Sequence, residues 1–260
     1  MAAPTPDPAL DPAATARAAA VIVAAGASTR IGGALRKPFI ELGGTSVIEH
    51  ACAAFCAANS IAEIVLVARA EDVELLERWS AERPAFAKVR AVVPGGATRA
   101  ESVRRGVRWC HFGLPLIAVH DAARPFVSGA AIDACVATAA REGAALLAIP
   151  ARDTLKRSSD GAHAESTLER AGVWAAQTPQ VFEQRRLRAM LERAAGEGCD
   201  STDEAGVWER YVGPVALVQG SSLFFKLTSP EDIELAQALC ERRAGRPDPL
   251  APPPGRSHDA

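Results

Sequence analysis

The chain has 260 residues, 48% of them hydrophobic, and a formal net charge of -2. That length suits one large α/β domain or two small ones. The near-neutral balance excludes a global basic field for nucleic acid or a membrane surface. No run of about 18 apolar residues predicts a membrane span, and residues 1–17, rich in Ala and Pro, lack the apolar stretch of a signal peptide. The composition predicts a cytoplasmic protein with one domain over 18–243 and disordered tails at 1–17 and 244–260. Six scattered cysteines form neither a CxxC pair nor a Cys/His cluster, so buried thiols in a reduced compartment are expected rather than zinc ligands.

In chain order, the β-branched run 19–24 predicts a fully buried parallel strand. A small-residue loop follows at 26–33, then a helix at 46–58, a strand at 61–68 and a helix at 71–81. A strand at 89–93, Gly95-Gly96, and a helix at 99–109 come next. The strand 116–120 ends on Asp121. Ser128 is placed to cap a helix over 128–142, and 144–149 is a fifth strand. The alternation predicts a Rossmann-like α/β fold, a mostly parallel sheet flanked by helices. Polar residues 152–174 predict a projecting β-arm. Beyond it the pattern predicts helices at 184–195 and from 202, strands at 215–219 and 223–227, and a helix at 230–240 with Pro230 at its first position.

The polar motifs fall at strand ends, where such sheets bind ligands. The first is Ala24-Ala25-Gly26-Ala27-Ser28-Thr29-Arg30, with Lys37 beyond it. A strand opening into small residues lets backbone N–H groups approach phosphate, and Arg30 and Lys37 add positive charge. It is neither GxxxxGK[ST] nor GxGxxG, which removes support from ATPase and kinase readings. In Gly95-Gly96-Ala97-Thr98-Arg99-Ala100-Glu101-Ser102, two glycines permit close approach of a flat ligand, though the pattern also suits a plain turn. In His120-Asp121-Ala122-Ala123-Arg124-Pro125, Asp121 is placed to hold Mg²⁺ beside a triphosphate or to cap the next segment, and His120 reads as a packed side chain. Arg152-Asp153-Thr154-Leu155-Lys156 and Arg170 suit an anionic ligand or a solvated hairpin. Lys226, between Phe225 and Leu227, is odd for an apolar strand and suits phosphate or a sheet edge. Only four of the 29 Lys and Arg residues are lysines, Lys37, Lys88, Lys156 and Lys226.

These motifs, with Gln177-Thr178-Pro179-Gln180, Thr202 to Glu204 and the FKLTSPED run, resemble in content and order those of 2-C-methyl-D-erythritol 4-phosphate cytidylyltransferases, over roughly 18–241. The resemblance implies a CTP-dependent transferase that joins a cytidylyl group to methylerythritol phosphate, uses Mg²⁺ or another divalent cation, and forms a homodimer through the arm. It implies catalytic roles for Arg30, Lys37 and Lys226 and a metal role for Asp121. It assigns Ala24, Ala25, Gly26, Gly95, Gly96, Arg99, Ser102 and Ala122 to the nucleotide. Asp121, Arg124, Thr154, Lys156, Arg170 and Thr178 fall to the acceptor substrate. The family usually reads Pro-Lys-Gln where this chain has Arg36-Lys37-Pro38. The chain is too short to add a fused cyclodiphosphate synthase, so the single-function form is expected. A pentitol-phosphate cytidylyltransferase and a non-catalytic nucleotide-binding protein remain as alternative readings.

Overall fold

A computed structural model describes residues 16–26, 36–199 and 201–244. Strand β1 (Ala18–Val23) is followed by the short hairpin β2 (Glu41–Leu42) and β3 (Thr45–Ser46), then α1 (Val47–Ala57). Ser46 and Glu49 close a capping box that starts α1. Next come β4 (Ile61–Ala68), α2 (Val73–Glu82), β5 (Val89–Pro94), α3 (Arg99–Trp109) and β6 (Leu116–Asp121). Helix α4 (Gly129–Glu142) begins at the expected Ser128 cap and leads into β7 (Ala144–Pro150). The polar stretch carries a hairpin of β8 (Lys156–Arg157) and β9 (Ser166–Thr167). The chain closes with β10 (Trp174–Glu183), α5 (Gln184–Gly196), α6 (Glu204–Tyr211), β11 (Ala216–Gln219) and α7 (Pro230–Ala244).

Seven strands form one sheet in the order β11-β7-β10-β6-β1-β4-β5. All neighbours are parallel except those of β10, which runs antiparallel between β6 and β7. Side chains alternate across β1, and each face builds its own core. Ala20 and Ile22 meet α1 and α4 through Phe55 and Ile132, whereas Ala19 and Val21 meet α3 and α5 through Val103 and Leu187. A smaller cluster joins Leu42, Phe126 and Leu227 to Ala236 of α7. Strand β1 passes to β4 and β5 on one side, and β6 lies on the other. The order therefore reverses at β1, and the crevice for a ligand opens outside its carboxyl end.

Two expectations are corrected. Residues 223–227 are not a strand: Ser222–Phe224 forms a 3-10 turn, and the segment beyond it is extended but unpaired in the sheet. The apolar run LFF reads as β by composition, but Phe224 packs on the main core, Phe225 on the cluster under α7, and no strand pairs with the segment. Strand β10, at the heart of the sheet, is unannounced in sequence, because Pro179 and three polar residues interrupt it. Pro cannot donate to a ladder and argues against a central strand. The structure accommodates it with a register shift, in which four steps from Ala176 to Gln180 match two from Ala148 to Leu146.

Of the expected tails at 1–17 and 244–260, residues 1–15 and 245–260 lie outside the described residues, as does Arg30, while Ala244 is the last residue of α7. No helix among the described residues is long and apolar enough to cross a membrane. The cysteines form no disulfide among the described residues, and burial pushes the thiols of Cys110 and Cys135 up to about 12.

Helix α3 lies close against the sheet because of Gly106. A Cβ built there would fall 2.6 Å from methyls of both Val21 and Val67. Gly106→Ala should therefore destabilise the protein by about 1–3 kcal/mol through overpacking. Thermal unfolding would show a drop of roughly 2–4 °C for each kcal/mol in a chain of this size.

Candidate active site

Asp121 ends β6, beside the carboxyl end of β1, and is only 9% exposed. Its two oxygens take separate cations. Oδ1 accepts from Arg99 Nε at 3.0 Å, and Oδ2 accepts from Lys226 Nζ at 2.9 Å. Burial alone would raise its pKa, but Arg99 and Lys226 outweigh it and hold the carboxyl well below the usual carboxylate range. The group is thus a fixed anion at neutral pH. Arg99 turns its other edge to Glu204, with Nη1 to Oε1 at 2.8 Å and Nη2 to Oε2 at 3.1 Å. Burial would lower the Arg99 pKa, yet Glu204 and Asp121 raise it above its ordinary value.

The loop after β6 is held from beneath by a directed chain of hydrogen bonds. The backbone N–H of Asp121 donates to Thr178 Oγ1 at 3.2 Å. Thr178 Oγ1 lies 2.9 Å from His120 Nδ1, and His120 Nε2 lies 3.1 Å from the carbonyl of Arg124. A carbonyl can only accept, so Nε2 carries the proton and Nδ1 accepts from the threonine. His120 is fully buried against Phe55, and burial lowers its pKa to about 4. It is a packed, neutral structural histidine, as its sequence context implied.

Residues 177–180 grip three loops at once. Gln177 donates to the carbonyl of Ser221 at 2.8 Å and accepts from its N–H at 3.3 Å. Gln180 donates to Asp203 at 2.7 Å and accepts from the N–H of Ala205 at 2.9 Å. Gln177 lies within the register shift of β10, and Gln180, at its lower edge, still pairs with Leu146 and Val119. Arg124 completes the brace, donating to the carbonyls of Phe224 at 2.9 Å and Ala176 at 3.4 Å. With the bond from Leu227 N–H to Ala123 O at 2.8 Å, this fixes the unpaired segment that presents Lys226.

Arg99, Asp121, Arg124, Thr178 and Lys226 accordingly line one cleft of about 180 Å³, together with Gln177, Gln180, Thr202 and Asp203. Gly95, Gly96 and Ser102 lie alongside, at the start of α3. Ser102 is buried and closes that turn, its Oγ accepting from Gly96 N–H at 3.0 Å. Gly95 is required for contact with the loop after β1, because a Cβ there would fall 2.4 Å from that of Ala25. The N–H groups of Ala24 and Ala122 bond to the carbonyls of Val67 and Val23. Gly26 is exposed at the end of that stretch. Lys37 opens a short 3-10 turn with buried Pro38. Arg36 anchors that turn through an ion pair to buried Asp72 and a stacking contact with Phe39. Arg36 and Pro38 are thus both fixed by the local structure. Lys37, Thr154, Lys156 and Arg170 do not line the Asp121 cleft. The last three are exposed on the arm, where Lys156 donates to Thr167 at 2.7 Å and Arg170 to the carbonyl of Arg152.

Glu204, Gln177 and Gln180 were given no role from sequence. Glu204 stood only as the last residue of the Thr202 to Glu204 motif, and nothing in a linear pattern announces a partner 105 residues away.

Among the described residues no group of three or more His, Cys, Asp or Glu could hold a metal. Beside Asp203, which caps α6 and accepts from Gln180, the cleft offers the ionised carboxylate of Asp121, with both oxygens facing cations. That donor suits a hard divalent ion shared with phosphate oxygens and water, rather than one caged by protein alone.

A sheet of this winding, with a carboxylate between cations at its switch point, suits nucleotidyl transfer, and its sequence matches place the chain among the α/β nucleotidyltransferases. The sequence profile of IspD, 2-C-methyl-D-erythritol 4-phosphate cytidylyltransferase, matches residues 18–242, and the chain belongs to that family. It is similar to the 2-C-methyl-D-erythritol 4-phosphate cytidylyltransferase of Halalkalibacterium halodurans, with 39% identity over 87% of this chain and 98% of that one. It is also similar to a bifunctional IspD/IspF enzyme of Anaeromyxobacter, at 41% identity over 86% of this chain; there it spans only 58% of the relative's length. The structure resembles the 4-diphosphocytidyl-2C-methyl-D-erythritol synthase of Anaerococcus prevotii with a TM-score of 0.77 and 29% identity, covering 88% of this chain and 97% of that one.

The Thr178–His120 chain has two measurable consequences. Thr178→Val leaves the Asp121 N–H and His120 Nδ1 without their partner, which should cost about 1–3 kcal/mol of stability, while Thr178→Ser should retain most of it. Because His120 is held below its ordinary pKa, the unfolded chain takes up this proton first. Its contribution is complete above about pH 6.5 and is lost as pH falls from there towards 4, by roughly 3 kcal/mol. Chemical denaturation across that range should show the decline, and an imidazole resonance of His120 titrating near 6.5 would contradict it.

Proposed function

We propose that the chain transfers a cytidylyl group from CTP to 2-C-methyl-D-erythritol 4-phosphate. The products are 4-diphosphocytidyl-2-C-methyl-D-erythritol and pyrophosphate, on the non-mevalonate route to isoprenoid precursors. The observation that carries this reading is Asp121, held ionised between Arg99 and Lys226 at the carboxyl edge of β6, in a chain of the IspD family.

An oxygen of the acceptor phosphate forms a bond to the α-phosphorus of CTP as the bond to the pyrophosphate oxygen breaks. Such a transfer needs positioning and charge stabilisation more than covalent help. Lys226 reaches the cleft as a compact ammonium, and Arg30 and Lys37 act with it on the triphosphate. The loops at Ala24, Ala25 and Gly26 and at Gly95 and Gly96, with Arg99, Ser102 and Ala122, shape the nucleotide's seat. When bound, Mg²⁺ beside Asp121 supplies positive charge among the phosphate oxygens. Arg124 and Thr178 brace the acceptor side.

Thr154, Lys156 and Arg170 belong to the acceptor phosphate in this reading. All three are exposed on the arm, and a homodimer joined through the arm would bring them to a cleft. Leu168 and Trp174, large apolar side chains exposed at 36% and 38%, support such a contact. Cysteines without disulfides among the described residues are in keeping with a cytoplasmic setting.

Purified protein given CTP, Mg²⁺ and methylerythritol phosphate should release pyrophosphate, with ribitol 5-phosphate inactive as acceptor and ATP, GTP and UTP poor donors. Release with ribitol phosphate alone would keep the nucleotide site and overturn the acceptor. Lys226→Ala should lose roughly 10²–10³ in turnover, by comparison with loss of one preorganised stabilising donor. A folded Lys226→Ala protein with wild-type turnover would remove that residue from the mechanism.

A further inference from the structure

Glu204 has no part in the transfer as read above, yet it is a carboxylate only 2% exposed beside the cleft. Burial pushes its pKa up, and the guanidinium of Arg99 opposes that push. Its place is fixed by the first turn of α6, where Gln180 accepts from the N–H of Ala205 at 2.9 Å and holds Asp203 at 2.7 Å. Both Glu204 oxygens accept from the Nη edge of Arg99, at 2.8 and 3.1 Å, while Nε alone reaches Asp121 at 3.0 Å.

A guanidinium is planar, and fixing one edge fixes the direction of the rest. Left to itself, an Arg beside a single carboxylate forms a two-pronged pair and takes both oxygens. Here the second oxygen of Asp121 stays with Lys226, at 2.9 Å. Asp121 alone would have sufficed to pair Arg99, so the buried second carboxylate calls for another explanation. We propose that Glu204 is a positioning residue for the transfer: by holding the Nη edge of Arg99 it restricts that guanidinium to one bond with Asp121, keeping the other oxygen for Lys226, which it holds at the nucleotide's cleft. The proposal rests on the reading of this cleft as the nucleotide site.

The test compares wild type, Glu204→Gln, Arg99→Gln and the double variant. The readouts are kcat, the KM for CTP, CTP affinity by calorimetry, and thermal unfolding. Glu204→Gln keeps the size of the side chain but weakens its hold on Arg99. Its KM and Kd for CTP should rise at least fivefold, and kcat should fall at least tenfold, in protein folded at the assay temperature. Because Glu204 acts through Arg99, the double variant should match Arg99→Gln within about twofold, the non-additivity expected of coupled residues. Glu204→Asp keeps the charge and should fall between wild type and Glu204→Gln, and it serves as the second test should the Gln variant not fold. A Glu204→Gln enzyme with wild-type KM, Kd and kcat overturns the proposal. So does a double variant whose loss is the product of the single losses, or a lower unfolding temperature with unchanged KM and Kd. If the wild type itself neither binds CTP nor releases pyrophosphate, the functional reading fails and this inference with it; an active wild type with indifferent Glu204 variants overturns the inference alone.

Discussion

Everything at the carboxyl edge of the sheet is arranged around the negative charge of Asp121. A carboxylate at the end of a buried strand is tolerable only when opposite charge and hydrogen bonds replace the water it has lost. Its partners arrive from distant parts of the chain, Arg99 from the start of α3 and Lys226 from the segment before α7. None has a local reason to be there. The site therefore exists only once β1, β4, β5 and β6 are in register, and its charges are set by tertiary structure rather than by sequence neighbours.

That dependence explains the odd composition of β10. A central strand is ordinarily apolar on both faces, yet this one carries Gln177, Thr178 and Gln180, all buried. At its lower end Val181 and Phe182 do what core residues do, one on each face. Within the register shift Gln177 and Thr178 bond through their side chains to the loop before Lys226 and to Asp121, and Gln180, still paired in the ladder at the shift's lower edge, bonds to the first turn of α6. Each polar group finds a partner, so burial costs little and the three loops acquire a common support. The strand that looks least like a strand is the one that ties the sheet to the site.

The parts legible in sequence were those whose physics is local. The strands β1, β4, β5, β6 and β7 are runs of β-branched and small apolar residues, and the Ser128 cap sits where a side-chain hydroxyl reaches a first turn. Asp121 was legible because a lone acid directly after such a run has few reasons to be there. The polar face of β10 was not, since Pro179 and the glutamines carry loop signals and their function as braces depends on what they meet in space. Residues 223–227 erred in the opposite direction. Their apolar side chains read as a sheet, but Phe225 and Leu227 pack into the small cluster under α7, and no strand stands beside them.

The use of lysine bears on the same charge logic. In a chain that otherwise uses arginine, Lys88 donates to the carbonyl of Ala58 at 2.6 Å, a cation at the carboxyl end of α1. Lys226 also needs to be compact, but for a different reason. An arginine there would compete with Arg99 for both Asp121 oxygens through its own planar fork. An ammonium engages a single oxygen at one point and is 39% exposed along its side chain, so its remaining donors can turn towards phosphate. The two cations that hold Asp121 are therefore not equivalent: the guanidinium is locked from behind and gives direction, while the ammonium sits at the mouth of the cleft and can exchange its partner.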